Sequence, residues 1–380
     1  MTIIDLNILP TLGSDIIQKK YTYNNVNYNI IKYNKNNLKA KENETECECE
    51  TKNKSDLNTL SKYRSVIIRD NKVVVFSPPK SVNYETFKND NSDVSKLWVE
   101  DFIDGTMINV FYDNINKCWE IATKSTVGGN IVFFNDVKNY QLFDISSENE
   151  LQNKFTNTTF RSMFFEACNY INLDLELLNK SYSYCFVMQH PFNRIVTPVI
   201  TPSLFLIKIY HIDNTNYPEV KIDNIDIHSY SNEAPFPFLN SQIKIPNRYA
   251  LESYDSIENF YKSNQVNYVC VGSMIYNNNN DRTKIRNNAY EEVRKLRGNH
   301  PKLQYNYLCL KKENKVKNFL FYYPECIMLF NKFKILIYNY TNELFLNYIS
   351  CFIRKEKPLK EYEFQYKNHM YKLHEKYKSE

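Results

Sequence analysis

The sequence contains strand-like segments that come in pairs separated by short polar turns. Ser65–Ile68 and Lys72–Ser77 are rich in β-branched residues and are separated only by residues 69–71. Met107–Tyr112 and Trp119–Thr123 form a second pair of the same kind. Segments this close can pair only as antiparallel hairpins, because parallel strands need a crossover of about a dozen residues or more. We therefore expect an α+β fold with antiparallel sheets.

The pattern changes towards the end of the chain. A helical pattern at Ser162–Tyr170 precedes further strand patterns at Tyr184–Gln189, Arg194–Val199 and Leu204–His211. From about residue 288, apolar residues recur with the helical period. These changes predict three parts: N-terminal strands with a disordered or mobile loop (1–60, loop 39–56), a main domain (61–287) and a smaller helical C-terminal domain (288–380).

Composition excludes several classes of protein. The six glycines cannot supply a dinucleotide-binding G-x-G-x-x-G loop or a P-loop. No uncharged apolar run reaches the length of a membrane helix, and the first ten residues lack the features of a secretory signal. The nine cysteines, an odd number without C-x-x-C spacing, are typical of reduced thiols. We therefore expect an intracellular protein without a membrane partner, whose net charge of +5 permits a polyanionic one.

The segment Glu100–Gly105, with the sequence E-D-F-I-D-G, is the most informative in the chain. Taken alone, Asp104 and Gly105 are typical of a hairpin turn, because this pair accepts positive φ angles. Six other short segments accompany it in a defined order: Tyr63–Ile68, Ser77–Asn83, Ala122–Ser125, His190–Val196, Gly272–Ile275 and Asp281–Arg286. The order of these segments, more than any one of them, carries information about function.

In this order the chain resembles the covalent nucleotidyltransferases, and most closely the RNA ligase 1-like proteins of T-even phages and giant viruses. In that superfamily the motif E-x-K-x-D-G carries the lysine that attacks the α-phosphate of ATP. The resemblance implies an ATP-dependent ligase-like core of two antiparallel sheets with flanking helices. It also implies RNA or a nucleotide as the partner, and ATP and Mg²⁺ as cofactors if the family activity is retained.

Three positions depart from the family's pattern. Phe102 lies where the motif has its lysine, and a phenyl ring cannot form a phosphoramidate. Val187 and Val271 lie where two motif carboxylates are expected, which removes the groups that would support a metal ion. We therefore expect no metal site and no covalent chemistry at position 102. If the nucleophile has moved, the candidate lysines are Lys80, Lys96 and Lys124.

The residues expected to bind a nucleotide or RNA are those that match the family's pattern. They are Arg64, Lys80, Glu100, Asp104, Gly105, Lys124, Gln189, Arg194, Lys284 and Arg286. By resemblance Arg64, Lys80, Lys124, Lys284 and Arg286 face phosphate groups, with a solvated strand end or an exposed strand as the alternative. For Arg194 the alternative is a structural hydrogen bond at a turn. A second basic segment offers a further RNA contact or else a solvated helix end. It contains Arg294, Lys295, Arg297 and Lys302.

Three functions follow from these observations. The first is an RNA ligase-like protein that binds a nucleotide, an RNA end or capped RNA without self-adenylation. The second is an active RNA ligase or nucleotidyltransferase with a relocated lysine, and the third is a structural or scaffold protein, for example of a virion. Retention of the basic positions favours the first over the third. The abundance of Asn, Lys, Ile and Tyr indicates an AT-rich genome, so a viral chain would lie in host cytoplasm or a virion.

Overall fold

A computed structural model describes residues 1–45, 51–131, 158–230, 240–263 and 265–379 of the chain. The described residues up to Arg297 form one compact unit, and those from Gly298 onward form a second. The first unit contains all the strands that the structure describes. The second is helical.

In the described part of the chain, the strands of the first unit pair with one another in the antiparallel sense. They are β1 (Thr2–Asp5), β2 (Ile16–Tyr23), β3 (Val26–Tyr33), β4 (Val66–Arg69), β5 (Lys72–Phe76), β6 (Leu97–Asp101), β7 (Thr106–Asp113), β8 (Cys118–Ala122), β9 (Tyr182–Gln189), β10 (Ser203–Asp213), β11 (Glu219–Ile225), β12 (Arg248–Ala250), β13 (Gly272–Asn277) and β14 (Arg282–Arg286). An isolated bridge between Phe205 and Lys244 is parallel.

These strands form three sheets in the described residues. Sheet A has the order β1-β11-β10-β9-β7-β8, sheet B the order β2-β3-β4-β5, and sheet C the order β12-β6-β13-β14. Tight polar turns connect neighbouring strands. Asp70 and Asn71 both have positive φ in the turn from β4 to β5, as do Asn24 and Asn25 between β2 and β3. Asn and Asp tolerate this conformation, which suits the twist of a two-residue hairpin.

The helices lie between the strands and at the C-terminal end. In the first unit they are α1 (Leu9–Leu12), α2 (Lys35–Thr45), α3 (Thr51–Lys62), α4 (Tyr84–Asp90), α5 (Phe160–Tyr170), α6 (Ile227–Tyr230), α7 (Tyr254–Lys262) and α8 (Asn288–Arg297). In the second unit they are α9 (Leu303–Lys312), α10 (Val316–Tyr322), α11 (Ile327–Tyr348) and α12 (Phe364–Ser379). Among the described residues, no helix is both long enough and apolar enough to cross a membrane.

The largest core of the first unit lies where α5 covers one face of sheet A. A capping box between Thr159 and Ser162 begins this helix. Its apolar face includes Met163 and Phe164, which are fully buried in the same cluster as Phe186 of β9. The apolar residues that the sequence places on one side of this helix therefore pack against the sheet, as their spacing predicts.

The second unit has its own aromatic contacts. Phe319 of α10 stacks against Phe330 of α11, with 4.8 Å between ring centroids, and Tyr307 of α9 meets the same ring edge-on. At the other end of α11, Tyr348 shares a buried cluster with Met370 of α12. The helical pattern of the C-terminal sequence is therefore matched by helices that pack through aromatic side chains.

The α+β class with antiparallel sheets and a helical C-terminal region is confirmed. The structure differs from the sequence-based expectation in that the described strands form three sheets and not two. Most of the segment 39–56, expected to be a loop, belongs to α2 and α3, while residues 46–50 lie outside the described residues. Leu38 and Leu60, both nearly fully buried, anchor these two helices in the core. So few apolar positions, separated by a polar stretch, produce no visible helical period.

The strand expected at Arg194–Val199 is wrong. The structure has no strand there, because the backbone N–H groups of Val196 and Thr197 donate to the carboxylate of Asp104, each over 3.0 Å. An N–H group that is used by a side chain is not available to a neighbouring strand.

Candidate functional site

A cleft of about 280 Å³ opens in the first unit, and side chains from all three sheets line it. Its basic residues are Arg64, Lys80, Arg282, Lys284 and Arg286. Its acidic residues are Glu100 and Asp101. Its apolar and aromatic lining includes Tyr33, Phe102, Met107, Val187, Met274 and Tyr276. The cleft therefore has more basic than acidic lining residues, and part of its wall is apolar.

Strand β14 supplies three of the five basic residues of the cleft. Arg282, Lys284 and Arg286 alternate with Thr283 and Ile285, so the period of two along a strand turns all three basic side chains to one face. Thr283 is fully buried on the opposite face, where its hydroxyl donates to the carbonyl of residue 82. The expectation that Lys284 and Arg286 share a strand face agrees with this arrangement.

The charge of Lys284 is poorly stabilised by its surroundings. Its side chain is open to solvent along the cleft, yet protein surrounds it closely enough to remove hydrating water. This loss of hydration, together with repulsion from Arg286, Lys80, Arg64 and Arg282, lowers the pKa of Lys284 to about 8. A lysine whose cationic form is disfavoured in this way gains stabilisation from a bound anion.

Arg64 and Lys124 extend the positive region. Burial and repulsion from Arg282 lower the pKa of Arg64 to about 10, although its side chain donates to the carbonyl of residue 78 at 3.5 Å. Lys124 does not line the cleft, but its Nζ lies 4.4 Å from the ring centroid of Tyr33, which does. Burial, followed by repulsion from Arg64, lowers the pKa of Lys124 to about 8. Of the six basic residues expected from the sequence, Arg64, Lys80, Lys284 and Arg286 line the cleft, Lys124 lies beside it, and Arg194 does not line it.

The two acidic residues of the cleft are held by other groups. Glu100 is almost fully buried, and its Oε1 lies 2.8 Å from Nη2 of Arg248 and 3.2 Å from Nε1 of Trp98. Asp101 accepts two hydrogen bonds from Asn247, from the backbone N–H at 3.2 Å and from Nδ2 at 2.7 Å. These contacts turn both carboxylates towards residues near 248. Arg248 neutralises Glu100, whereas Asn247 is uncharged and leaves the negative charge of Asp101 in the cleft.

Phe102, which the sequence resemblance aligns with a nucleophilic lysine, lies in the wall of the cleft. Its backbone N–H donates to the carbonyl of Gly272 at 3.1 Å, and the Arg286 guanidinium lies 5.5 Å from its ring centroid. Val187 is nearly buried in the same wall, whereas Val271 is buried and is not a lining residue. Phe102 and Val187 therefore contribute an apolar surface to the cleft, and Val271 does not.

Several other candidate residues have contacts that stabilise the connection between β6 and β7. Asp104 is buried, and the hydroxyl of Tyr290 on α8 also donates to it at 2.8 Å. Gln189 donates to the carbonyl of Asp104 at 2.8 Å, and Nε of Arg194 donates to the carbonyl of residue 196. Gly105 lines the cleft with a φ of +146°, and a Cβ there would lie 2.5 Å from the carbonyl oxygen of residue 188. The side chains of Asp104, Gln189 and Arg194 order the wall of the cleft. Of these three residues and Gly105, only Gly105 lines it.

Of the three alternative lysines, only Lys80 lines the cleft. Lys96 is largely exposed and forms an ion pair with Asp93 at 3.0 Å. Lys124 contacts the ring of Tyr33 and does not line the cleft. The sequence alone therefore does not separate a cleft lysine from a surface one, since all three lie near strand ends.

The second basic segment is divided between the two units. Arg294 lies 3.6 Å from Glu291 on the same helix, Lys295 is exposed and Arg297 is buried at the end of α8. Lys302 belongs to the second unit, where it precedes α9. Helix α8, expected to begin the C-terminal domain, belongs to the first unit.

Sequence reasoning missed Arg282, Tyr33, Tyr276 and Arg248. Arg282 could have been found, because it continues the alternation of Lys284 and Arg286 along β14. Arg248 could not, because its partner Glu100 lies far away in the sequence. Tyr33 and Tyr276 carry no local signal that separates them from other tyrosines on strands.

No family model and no curated protein matches this chain in sequence. Among solved structures, it is similar to a putative ATP-dependent DNA ligase from Aquifex aeolicus, with 13% identity, a TM-score of 0.40, and coverage of 92% of this chain and 76% of that one. It is also similar to an archaeal ATP-dependent RNA ligase, with 9% identity, a TM-score of 0.39, and coverage of 79% of this chain and 64% of that one. These likenesses concern the course of the backbone and say nothing about activity.

Proposed function

We propose that this protein binds the phosphate groups of a nucleotide or of an RNA end in the cationic cleft, without forming a covalent nucleotidyl intermediate. The observation that carries the proposal is the convergence of five basic residues from three separate parts of the chain on one cleft. The motif order in the sequence supports a nucleotide or RNA as the source of the phosphate. Phe102 at the attacking position supports binding without covalent chemistry.

The electrostatics of the cleft favour an anionic ligand. Loss of hydrating water in the partly enclosed cleft, together with repulsion between like charges held close together, lowers the pKa of Lys284 to about 8 and that of Arg64 to about 10. A phosphate group relieves this repulsion and accepts charge-assisted hydrogen bonds from guanidinium and ammonium groups. The apolar wall formed by Tyr33, Phe102 and Tyr276 offers a surface for a base or ribose. A simple inorganic anion would leave that wall uncovered.

The test is equilibrium binding of ATP and of a short single-stranded RNA over a series of salt concentrations. We expect binding at low salt and a loss of about fiftyfold for RNA between roughly 50 and 200 mM salt, if about four phosphates are contacted. Absence of binding for both ligands at the lowest salt would contradict the proposal. The scaffold function would then take its place.

Incubation with ATP or GTP and Mg²⁺ should give no covalent adduct on the wild-type protein. The phenyl ring of Phe102 has no lone pair with which to attack a phosphate. The variant Phe102→Lys should also fail to form an adduct, because Val187 and Val271 leave the adenylate without its carboxylate partners. Intact-protein mass spectrometry measures the outcome, and a mass increase of one nucleotidyl group would contradict this expectation.

A relocated nucleophile is the second candidate function, and one observation favours it. A lysine with a pKa near 8 is partly neutral at physiological pH, and a neutral amine is the nucleophilic form. Lys124 has this property, whereas Lys96 lies on the surface in an ion pair. If an adduct does form, peptide mapping would identify the lysine, and Lys124→Arg should then abolish the adduct.

Binding should weaken as the pH rises from about 7 to 9. Lys284 has a lowered pKa of about 8, so its positive charge is present below that pH and lost above it, while the charge of a phosphate ligand, with a second pKa near 6, stays constant. We expect the dissociation constant of ATP to rise about fivefold over this range. The variant Lys284→Arg keeps its charge and should flatten the profile, leaving only the smaller contribution of Lys124. An unchanged profile in this variant would contradict the assignment to Lys284.

A further inference from the structure

The resemblance to ATP-dependent ligases implies a Mg²⁺ ion beside the phosphates, and the donor set of this cleft does not fit one. Mg²⁺ takes oxygen ligands, usually including one or two carboxylates. Of the two acidic residues of the cleft, Glu100 is paired with Arg248, and Oδ2 of Asp101 accepts both hydrogen bonds from Asn247, so a single carboxylate oxygen, Oδ1 of Asp101, lies among five basic side chains. Val187 presents an apolar side chain where a carboxylate is expected. What the described side chains offer a ligand here is chiefly positive charge.

We infer that the cleft takes a run of phosphates as a bare anion, and that basic side chains replace the divalent cation. This inference rests on the proposed function, because it concerns the same cleft. The ligand is a nucleoside triphosphate or the 5′-triphosphate end of an RNA, which share this chemistry. It follows that Mg²⁺ competes with the protein for the phosphates.

Contacts with the protein fix the positions of three of the cationic groups. The Arg282 guanidinium donates to the carbonyls of residues 78 and 79, at 3.3 and 2.7 Å for Nη2. Arg64 donates to the carbonyl of residue 78, and Arg286 is paired with Glu291 at 2.6 Å. Groups already ordered by the protein lose little conformational freedom when a ligand binds. The cleft is therefore pre-organised for an anion with several negatively charged oxygens.

Arg286 has a hydrogen-bond donor that lacks an acceptor. Its Nε atom is buried and has no hydrogen-bond partner within the described part of the chain, although Nη1 contacts Glu291. A buried donor without an acceptor is uncommon, because its desolvation is not compensated. The phosphate oxygens of a bound ligand are acceptors of the kind that this donor lacks. A hydrated metal ion, which presents water hydrogens outward, is not.

The experiment is isothermal titration calorimetry of the full chain with ATP and with inorganic tripolyphosphate, first in EDTA and then in excess MgCl₂ at matched ionic strength. We expect binding in EDTA and a loss of affinity of about threefold or more with Mg²⁺, because the ion cancels ligand charge that the cleft would otherwise neutralise. An affinity that is unchanged or higher with Mg²⁺ would overturn the inference while leaving the proposed function intact. No binding in either buffer would overturn the proposed function itself.

Two variants connect this result to the cleft. Lys284→Gln should weaken binding in EDTA and reduce the Mg²⁺ effect, whereas Lys96→Gln, which removes the same charge from an exposed site outside the cleft, should change neither. Binding of an RNA end is tested by titrating a short RNA with a 5′-triphosphate and the same RNA with a 5′-hydroxyl. Equal affinity for the two RNAs would contradict the requirement for a run of phosphates.

Discussion

Replacing Lys284 and Arg286 together by alanine should weaken the binding of nucleotide and RNA about a hundredfold. Each charge-assisted hydrogen bond to phosphate contributes about 1.5–3 kcal/mol, and roughly 3 kcal/mol for the pair corresponds to that factor. Both side chains lie on the cleft face of β14. The loss should be equal for RNAs of different sequence, because phosphate contacts position a ligand without reading its bases. Fluorescence anisotropy with several labelled RNAs measures this effect.

The matched control for this variant removes the same charge elsewhere. Lys19→Ala with Lys20→Ala takes two exposed lysines from β2, and neither of them lines the cleft. We expect this control to lose less than about threefold. Because Arg286 pairs with Glu291, the thermal melting of the test variant should be recorded to show that the protein is folded. A control that loses as much affinity as the test variant would indicate general attraction to the protein surface.

Asp113→Ala should destabilise the first unit by about 3–5 kcal/mol, because it breaks a buried ion pair and leaves a buried arginine uncompensated. Asp113 is fully buried at the end of β7 and pairs with Arg69 of β4. It also accepts a hydrogen bond from the hydroxyl of Tyr28 on β3 at 3.0 Å, and the backbone N–H groups of residues 115 and 116 donate to it. One carboxylate therefore connects sheets A and B. Urea denaturation followed by circular dichroism measures the change.

The control for Asp113 is a second aspartate near the same arginine. Asp70 lies 3.5 Å from Arg69 but is largely exposed, so Asp70→Ala should cost less than about 1 kcal/mol.

Although burial alone would raise the pKa of Asp113, hydrogen bonds from the N–H of Asn116 and from Arg69 lower it overall. Its stabilising contribution is therefore present at neutral pH and lost as the pH falls through that lowered pKa. Asp113→Asn should reduce this acid sensitivity, and equal costs for the Asp113 and Asp70 variants would contradict the role of the buried pair.

The sequence predicted those elements whose signals are local. The hairpin of β4 and β5 was recognisable because its two strands are adjacent and the turn residues Asp70 and Asn71 accept positive φ. The shared face of Lys284 and Arg286 was recognisable because a strand repeats every two residues. Helices α2 and α3 were not predicted, since Leu38 and Leu60 acquire their burial from a core formed by distant strands.

By itself, then, the sequence determined the antiparallel character of the sheets, the basic face of β14 and the absence of a lysine at position 102. The tertiary structure decided which charges meet and which are neutralised. Glu100 reads as a ligand-binding carboxylate in the sequence, but Arg248 pairs with it in the fold. Lys284 looks like an ordinary strand lysine in the sequence, but loss of hydration and repulsion from the cations around it lower its pKa to about 8. The physical reason is that turn and strand preferences act between neighbouring residues, whereas repulsion, desolvation and pairing depend on distances that exist only once remote segments have come together.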